Sequence, residues 1–164
     1  MKNSFFKKQT DDKKIFAVAS GTAIPITDVN DEVFSNKVLG DGIAIRVPGE
    51  KTEKIVSPVK GKISFVADTF HAIGITAWDG TSIIIHIGID TVELGGEGFA
   101  CMVKEGKNVT VGTPLCEVDF PFLLKNNCET DVIVVFADGG DTTIFHFNYG
   151  EVVAGETSVM EYEN

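Results

Sequence analysis

Glycine and turn-forming dipeptides cut this chain into pieces too short for anything but strands. Seventeen glycines interrupt runs of Ile, Val, Phe and Thr. Pro48-Gly49, Asp79-Gly80, Gly95-Gly96 and Gly139-Gly140 mark turns between the runs. The runs read as strands at Ile15–Ala19, Gly42–Val47, Lys54–Ser57, Gly61–Ala67, Gly74–Ala77, Ser82–His86, Thr110–Val111, Leu115–Val118, Val132–Phe136, Thr143–Phe147 and Val159–Tyr162. No segment sustains a 3.6-residue apolar period, and the helical candidates are two short turns, Asp31–Phe34 and Pro121–Asn126. Many short strands with regular turns predict an all-β sandwich or barrel. Two faint echoes suggest a duplicated β unit. Phe16–Thr22 aligns with Val56–Lys62 when Gly21 is set on Gly61, and Gly106–Leu115 aligns with Gly150–Val159.

Size and charge narrow the function. A chain of 164 residues fits one domain. Residues 1–14 read as a flexible, polar N-terminal tail and residues 15–164 as the domain. No apolar run is long enough to span a membrane, and the tail lacks the apolar stretch of a secretory signal, so a cytoplasmic location is expected. A net charge of −10 argues against nucleic acid and against strong association with anionic membranes, and suits a basic protein partner. Cys101, Cys116 and Cys128 are odd in number and form no CxxC pair, so they indicate neither a disulfide framework nor a cysteine zinc site. The chain has no GxSxG, no P-loop and no HExxH.

The chemistry concentrates between Asp68 and Gly98. Asp79-Gly80 is a strong hairpin signal. Taken as a two-residue turn, it sets His86 opposite Ile73 and His71 opposite Gly88. The two histidines are then diagonal neighbours on one face, about 7–8 Å apart at the backbone. Only an odd-length loop breaks that parity. Two imidazoles so placed can flank one small group. A phosphoryl group is one candidate, because a neutral imidazole is a nucleophile near pH 7 and a second imidazole can donate to the phosphoryl oxygens. A carbonyl near Gly88 would fix the His86 tautomer, and the Thr69 hydroxyl could orient His71. A metal is the other candidate, but zinc needs a third or fourth ligand. His146 alternates with Phe145 and Phe147 and reads as facing solvent. The residues alone leave phosphoryl transfer, a metal site and ordinary packed histidines all open.

A longer pattern adds to this reading. His86–Phe99 matches H-[IF]-G-[IL]-D-T-V-x-L-x-G-x-G-F and resembles the active-site segment of the glucose-type enzyme IIA family of the bacterial sugar phosphotransferase system. Asp31–Ile45 resembles that family's D-x-V-F-x-x-K-x-x-G-D-G-x-A-I, Ser57–Gly61 its A-P-V-x-G, and Thr69–Ala72 its T-x-H-A. The likeness runs from about residue 15 to 162. It is weak from Asn126 to Asp141 and unusual at Ala100-Cys-Met. The resemblance implies an antiparallel β-sandwich, a barrel-sandwich hybrid with a duplicated β motif. It implies a phosphotransferase in which His86 Nε2 accepts phosphate from the small carrier HPr, with His71 supporting, Thr69 orienting His71 and the Gly88 carbonyl holding the His86 ring. Asp31 and Asp90 correspond to acidic positions that meet an arginine of HPr, and Val33 and Phe34 to its apolar rim. The phosphate then passes to an enzyme IIB domain, with a covalent phosphohistidine and neither cofactor nor metal. Two other readings stand beside it. One is a regulatory module whose protein partners sense His86 phosphorylation. The other is a zinc hydrolase with Asp90 as third ligand, on the same face if the strand continues.

Overall fold

The structure is a computed structural model that describes residues 13–137 and 143–163. The tail drawn over residues 1–14 lies outside them as far as residue 12, as does the Gly139-Gly140 turn. Among the described residues the strands are β1 Lys14–Phe16, β2 Gly21–Pro25, β3 Asp41–Arg46, β4 Thr52–Val56, β5 Gly61–Val66, β6 Ala72–Ala77, β7 Ser82–Ile89, β8 Phe99–Cys101, β9 Asn108–Val109, β10 Pro114–Asp119, β11 Glu129–Phe136, β12 Ile144–Phe147, β13 Gly150–Val152 and β14 Ser158–Glu163. Two short helices, α1 Glu32–Ser35 and α2 Phe120–Lys125, complete the set with two 3-10 turns. Asp31 caps α1 by accepting from the Val33 amide, and Asp119 caps α2 by accepting from the Phe122 amide, with Pro121 in the first turn. No described helix is long and apolar enough to cross a membrane.

Every strand pairing is antiparallel. Eight strands form one sheet in the order β13-β2-β3-β11-β7-β6-β5-β9, and two three-stranded sheets have the orders β1-β14-β12 and β4-β10-β8. Alternation along β7 explains the layering. Ile83, Ile85 and Ile87 are fully buried in the main core, which the large sheet shares with both small sheets. Ile84 and His86 point the other way. That second face carries its own small core of Ile26, Val29, Phe34, Ala44, Ile89, Ile133 and Val135, roofed by the first 3-10 turn and α1. The β11 strand serves both cores and is apolar on both faces.

The duplicated β motif expected from sequence is present, and it orders the whole molecule. The strand order of the large sheet is the same read from either end if β13, β2, β3 and β11 are matched to β9, β5, β6 and β7. The small sheets match in the same way. The faint sequence echoes fall on equivalent places. The Phe16 amide donates to the Pro58 carbonyl and the Val56 amide to the Val18 carbonyl, at 3.0 and 2.9 Å, so the two copies cross symmetrically. Gly21 pairs with Val152 as Gly61 pairs with Val109. One copy, β4 to β10, is continuous and is inserted between β3 and β11 of the other. Three strands were not foreseen: β2, β8 and β13. The run from Ile15 ends at Phe16, because residues 17–20 make that crossing before the chain starts β2. The Thr110–Val111 strand lies instead at Asn108–Val109, and Thr110 turns to meet the Thr113 hydroxyl.

Candidate functional site

The hairpin that brings the histidines together differs from the expected one by a single residue. The Ala77 amide donates to the Thr81 carbonyl at 2.8 Å, so the loop is Trp78-Asp79-Gly80. Gly80 takes φ +89 in the left-handed region, and Asp79 Oδ1 accepts from the Thr81 amide. A three-residue loop of this kind places glycine in that left-handed position. His86 therefore faces Ala72, not Ile73. The one-residue slip would send a regular His71 to the opposite face. It does not, because β6 begins only at Ala72 and Phe70 takes φ +60. The chain bends there, and the His71 ring lies against His86. Their centroids are 5.2 Å apart and the planes 77° from one another.

The His86 Nδ1 lies 2.9 Å from the Gly88 carbonyl oxygen. A carbonyl only accepts, so Nδ1 carries the proton and a neutral ring presents a bare Nε2. Gly88 is required here. It takes φ +76, and a Cβ would sit 2.6 Å from Thr91 Cγ2 and 2.9 Å from the Glu129 carbonyl oxygen. The opposite strand makes room with an irregularity between Glu129 and Val132. Thr91, fully buried, donates its hydroxyl to the Ile87 carbonyl at 2.6 Å and so closes the turn beneath Gly88. Sequence reasoning passed over Thr91. Its place four residues after a strand residue, just past a glycine and an aspartate, is the signal for a side chain that caps a turn.

On the other side, Thr69 Oγ1 lies 2.6 Å from His71 Nδ1. Phe34, buried at 5% exposure, packs its ring against His86 with centroids 4.8 Å apart. It is a wall of the imidazole, while its neighbour Val33 is exposed. Burial lowers the His86 pKa from 6.5 to about 4. The field of His71 adds to that, and the Gly88 carbonyl and Asp31 oppose it. Burial likewise lowers His71. Both rings are neutral at pH 7.

The other positions sit around this pair. Asp31 acts on His86 through its charge while capping α1. The β7 strand stops at Ile89, and Asp90 takes φ +66 at the surface, so strand alternation does not carry its side chain to the histidine face. Among the described residues no three His, Cys, Asp or Glu side chains converge as metal ligands. His146 is exposed, as alternation in β12 required. All three cysteines are free thiols.

Such a pair of neutral imidazoles, one with its nucleophilic nitrogen fixed and bare, can accept a group that bonds to nitrogen and be supported by a second donor. Residues 13–142 match the family described as phosphoenolpyruvate-dependent sugar phosphotransferase system, EIIA 1. The glucose-specific EIIA component of Haemophilus influenzae is 39% identical over 90% of this chain and 87% of its own length. The glucoside-specific EIICBA component of Staphylococcus carnosus is 38% identical over 89% of this chain. The chain spans only 21% of that longer relative. The structure of the glucose permease IIA of Mycoplasma capricolum superposes with a TM-score of 0.80 at 35% identity, covering 90% of this chain and 94% of that one.

Proposed function

Since the chain belongs to the EIIA 1 family, a phosphotransferase component of sugar transport, we propose that His86 is its phosphoryl acceptor and His71 its supporting donor. The single observation that carries this is the His86 Nδ1–H held by the Gly88 carbonyl with Nε2 left bare beside His71. Phospho-HPr presents a phosphohistidine. His86 Nε2 attacks its phosphorus, a new N–P bond forms, and the donor's N–P bond breaks with its electron pair returning to the donor imidazole. The Thr69 hydroxyl donates to His71 Nδ1, which leaves the His71 Nε2–H to donate to a phosphoryl oxygen as charge builds there. An acceptor side chain on an enzyme IIB domain then takes the group, and His86 is regenerated. The intermediate is covalent and calls for no separate cofactor. That relatives named EIICBA carry this segment inside one longer chain supports such a handover.

Docking follows from the same geometry. Asp31 sets negative charge on the pair and the exposed Val33 beside it offers dry contact, while Asp90 and Val92 are exposed on the turn that follows Gly88. A partner with a cationic side chain and an apolar surround fits that rim.

Incubation with enzyme I, HPr and phosphoenolpyruvate tests this, followed by mapping of the acid-labile phosphate. Wild-type chain is labelled on His86, and His86→Ala takes no label. His71→Gln is labelled but hands the phosphate on more slowly, by about 10²-fold or more, the loss typical of one transition-state donor. Normal labelling of His86→Ala would remove the assignment.

A further inference from the structure

The strands β8 and β10 pair with Phe99 opposite Val118, Ala100 opposite Glu117 and Cys101 opposite Cys116. The Met102 amide donates to the Leu115 carbonyl and the Asp119 amide to the Gly98 carbonyl, each at 2.9 Å. Hydrogen-bonded pairs alternate with open pairs along an antiparallel ladder. Cys101 and Cys116 therefore occupy an open pair, where backbones come closest, about 4.5 Å between Cα atoms. Facing residues project from the same side of the sheet. A disulfide requires Cα atoms roughly 4.4–6.8 Å apart, so these strands need not move to accept one. As thiols the two sulfurs hold separate acceptors. Cys101 Sγ donates to the Val103 carbonyl at 3.0 Å and Cys116 Sγ to the Glu117 carbonyl at 3.7 Å. Rotation about the Cα–Cβ bonds is the motion that would join them.

We propose that Cys101 and Cys116 are an oxidation site, closed by peroxide into a reversible cross-strand disulfide on a sheet separate from the histidine pair. The order of steps follows from exposure. Cys101 is partly exposed and Cys116 is fully buried. Burial also pushes the Cys116 thiol up to about 12, so it does not meet the oxidant as a thiolate. The Cys101 sulfur attacks hydrogen peroxide, the O–O bond breaks, and a sulfenic acid forms with release of water. The Cys116 sulfur then attacks the sulfenic sulfur, loses its proton, and displaces hydroxide, which leaves as a second water. Two thiols are oxidised and one peroxide is reduced to two waters. A thiol reductant reverses the bond. Cys128 lies elsewhere, with its thiol on the Asn126 carbonyl, and takes no part.

The test treats the full-length wild-type chain with hydrogen peroxide, counts thiols after denaturation and maps peptides by mass. The count falls from three to one, the intact mass drops by two hydrogens, and one linked peptide pair joins Cys101 to Cys116. Dithiothreitol restores all three thiols. Cys128→Ser still forms the link, whereas Cys101→Ser does not. The wild-type peptide map decides the matter even if a substituted chain fails to fold. Three surviving thiols, a Cys101 sulfinate with Cys116 unmodified, or chains joined to one another through Cys101 would each overturn the proposal.

Discussion

Burial pulls the His86 imidazole down to about 4, the field of His71 acts in the same direction, and the Gly88 carbonyl and Asp31 pull back. In an unfolded chain the ring titrates near 6.5. Between about pH 6.5 and 4 the unfolded state therefore binds more protons than the folded one, so stability falls as the pH drops through that window. Above it the contribution is fully present. The ring resonances of His86 in an NMR titration should move with a midpoint near 4, and denaturant unfolding should show the matching loss of stability. In His86→Gln that loss shrinks, and what remains reports on His71, which burial lowers as well. A His86 midpoint near 6.5 would mean that the ring is solvated, and the fixed tautomer would lose its basis. That the two histidines meet, with Thr69 on one ring and Gly88 on the other, was legible in the sequence, because hairpin parity and the family-like pattern both pointed to these residues. Thr91 was passed over, because its hydroxyl acts on a main-chain carbonyl and only its place past Gly88 and Asp90 signals a turn cap.

The α1 helix is four residues long, far below what stands alone in water. Phe34 anchors it in the second core, and Asp31 caps it. Asp31 thus has two roles, a hydrogen bond to the Val33 amide and a negative charge that acts on His86, and one substitution separates them. Asn caps a helix about as well as Asp, so Asp31→Asn should hold stability to within about 0.5 kcal/mol. The His86 midpoint should fall further, since a charge that raised it is gone. Asp31→Ala should lose both the charge and about 1 kcal/mol of stability. Urea unfolding and the ring titration measure the two effects independently. If Asp31→Asn unfolds as readily as Asp31→Ala, the charge and not the cap holds the helix. At this scale the sequence was readable in kind and unreliable in register. Both short helices lie within a residue or so of the two helical turns expected from sequence, and local capping by Asp31 and Asp119 is what sets their starts. The histidine hairpin slipped by one, because Asp79-Gly80 serves two-residue and three-residue loops alike. The bend at Phe70 then restored the meeting of rings that the slip would have undone. Strands such as Gly150–Val152 were missed because two or three residues of backbone pairing leave almost no side-chain pattern to read.

The duplication raises a problem of assembly, because one copy of the repeat is split. Its strands β1 to β3 and β11 to β14 are separated in sequence by the whole of the other copy. The ends of the split copy, β1 and β14, pair with each other, and the loop between β6 and β7 of the inserted copy reaches them at one residue. Asp79, in the loop between β6 and β7, accepts from the buried Tyr162 hydroxyl at 2.5 Å and lies 3.6 Å from Lys13 Nζ. Burial by itself would raise the Asp79 pKa, but the hydrogen bonds from Tyr162 and Thr81 and the charge of Lys13 outweigh it and leave the carboxyl below its ordinary 3.8. The tie is therefore present above about pH 3.8 and weakens as the pH falls below that. The Lys13 side chain is 43% exposed, so that ion pair adds little. The Tyr162 bond matters more, because its donor belongs to a side chain only 1% exposed and its acceptor is a carboxylate. Asp79→Ala should cost about 1–3 kcal/mol. The damage should be uneven. Amide exchange should speed in β1 and β14, which lose one of their ties to the other copy, and hold in β7 and β11, which share the long central ladder. Phosphoryl acceptance should survive, because neither histidine hydrogen bond involves Asp79. Uniform loss of protection across all strands would show instead that the two copies are welded through the common core, with no separate fastening at this loop.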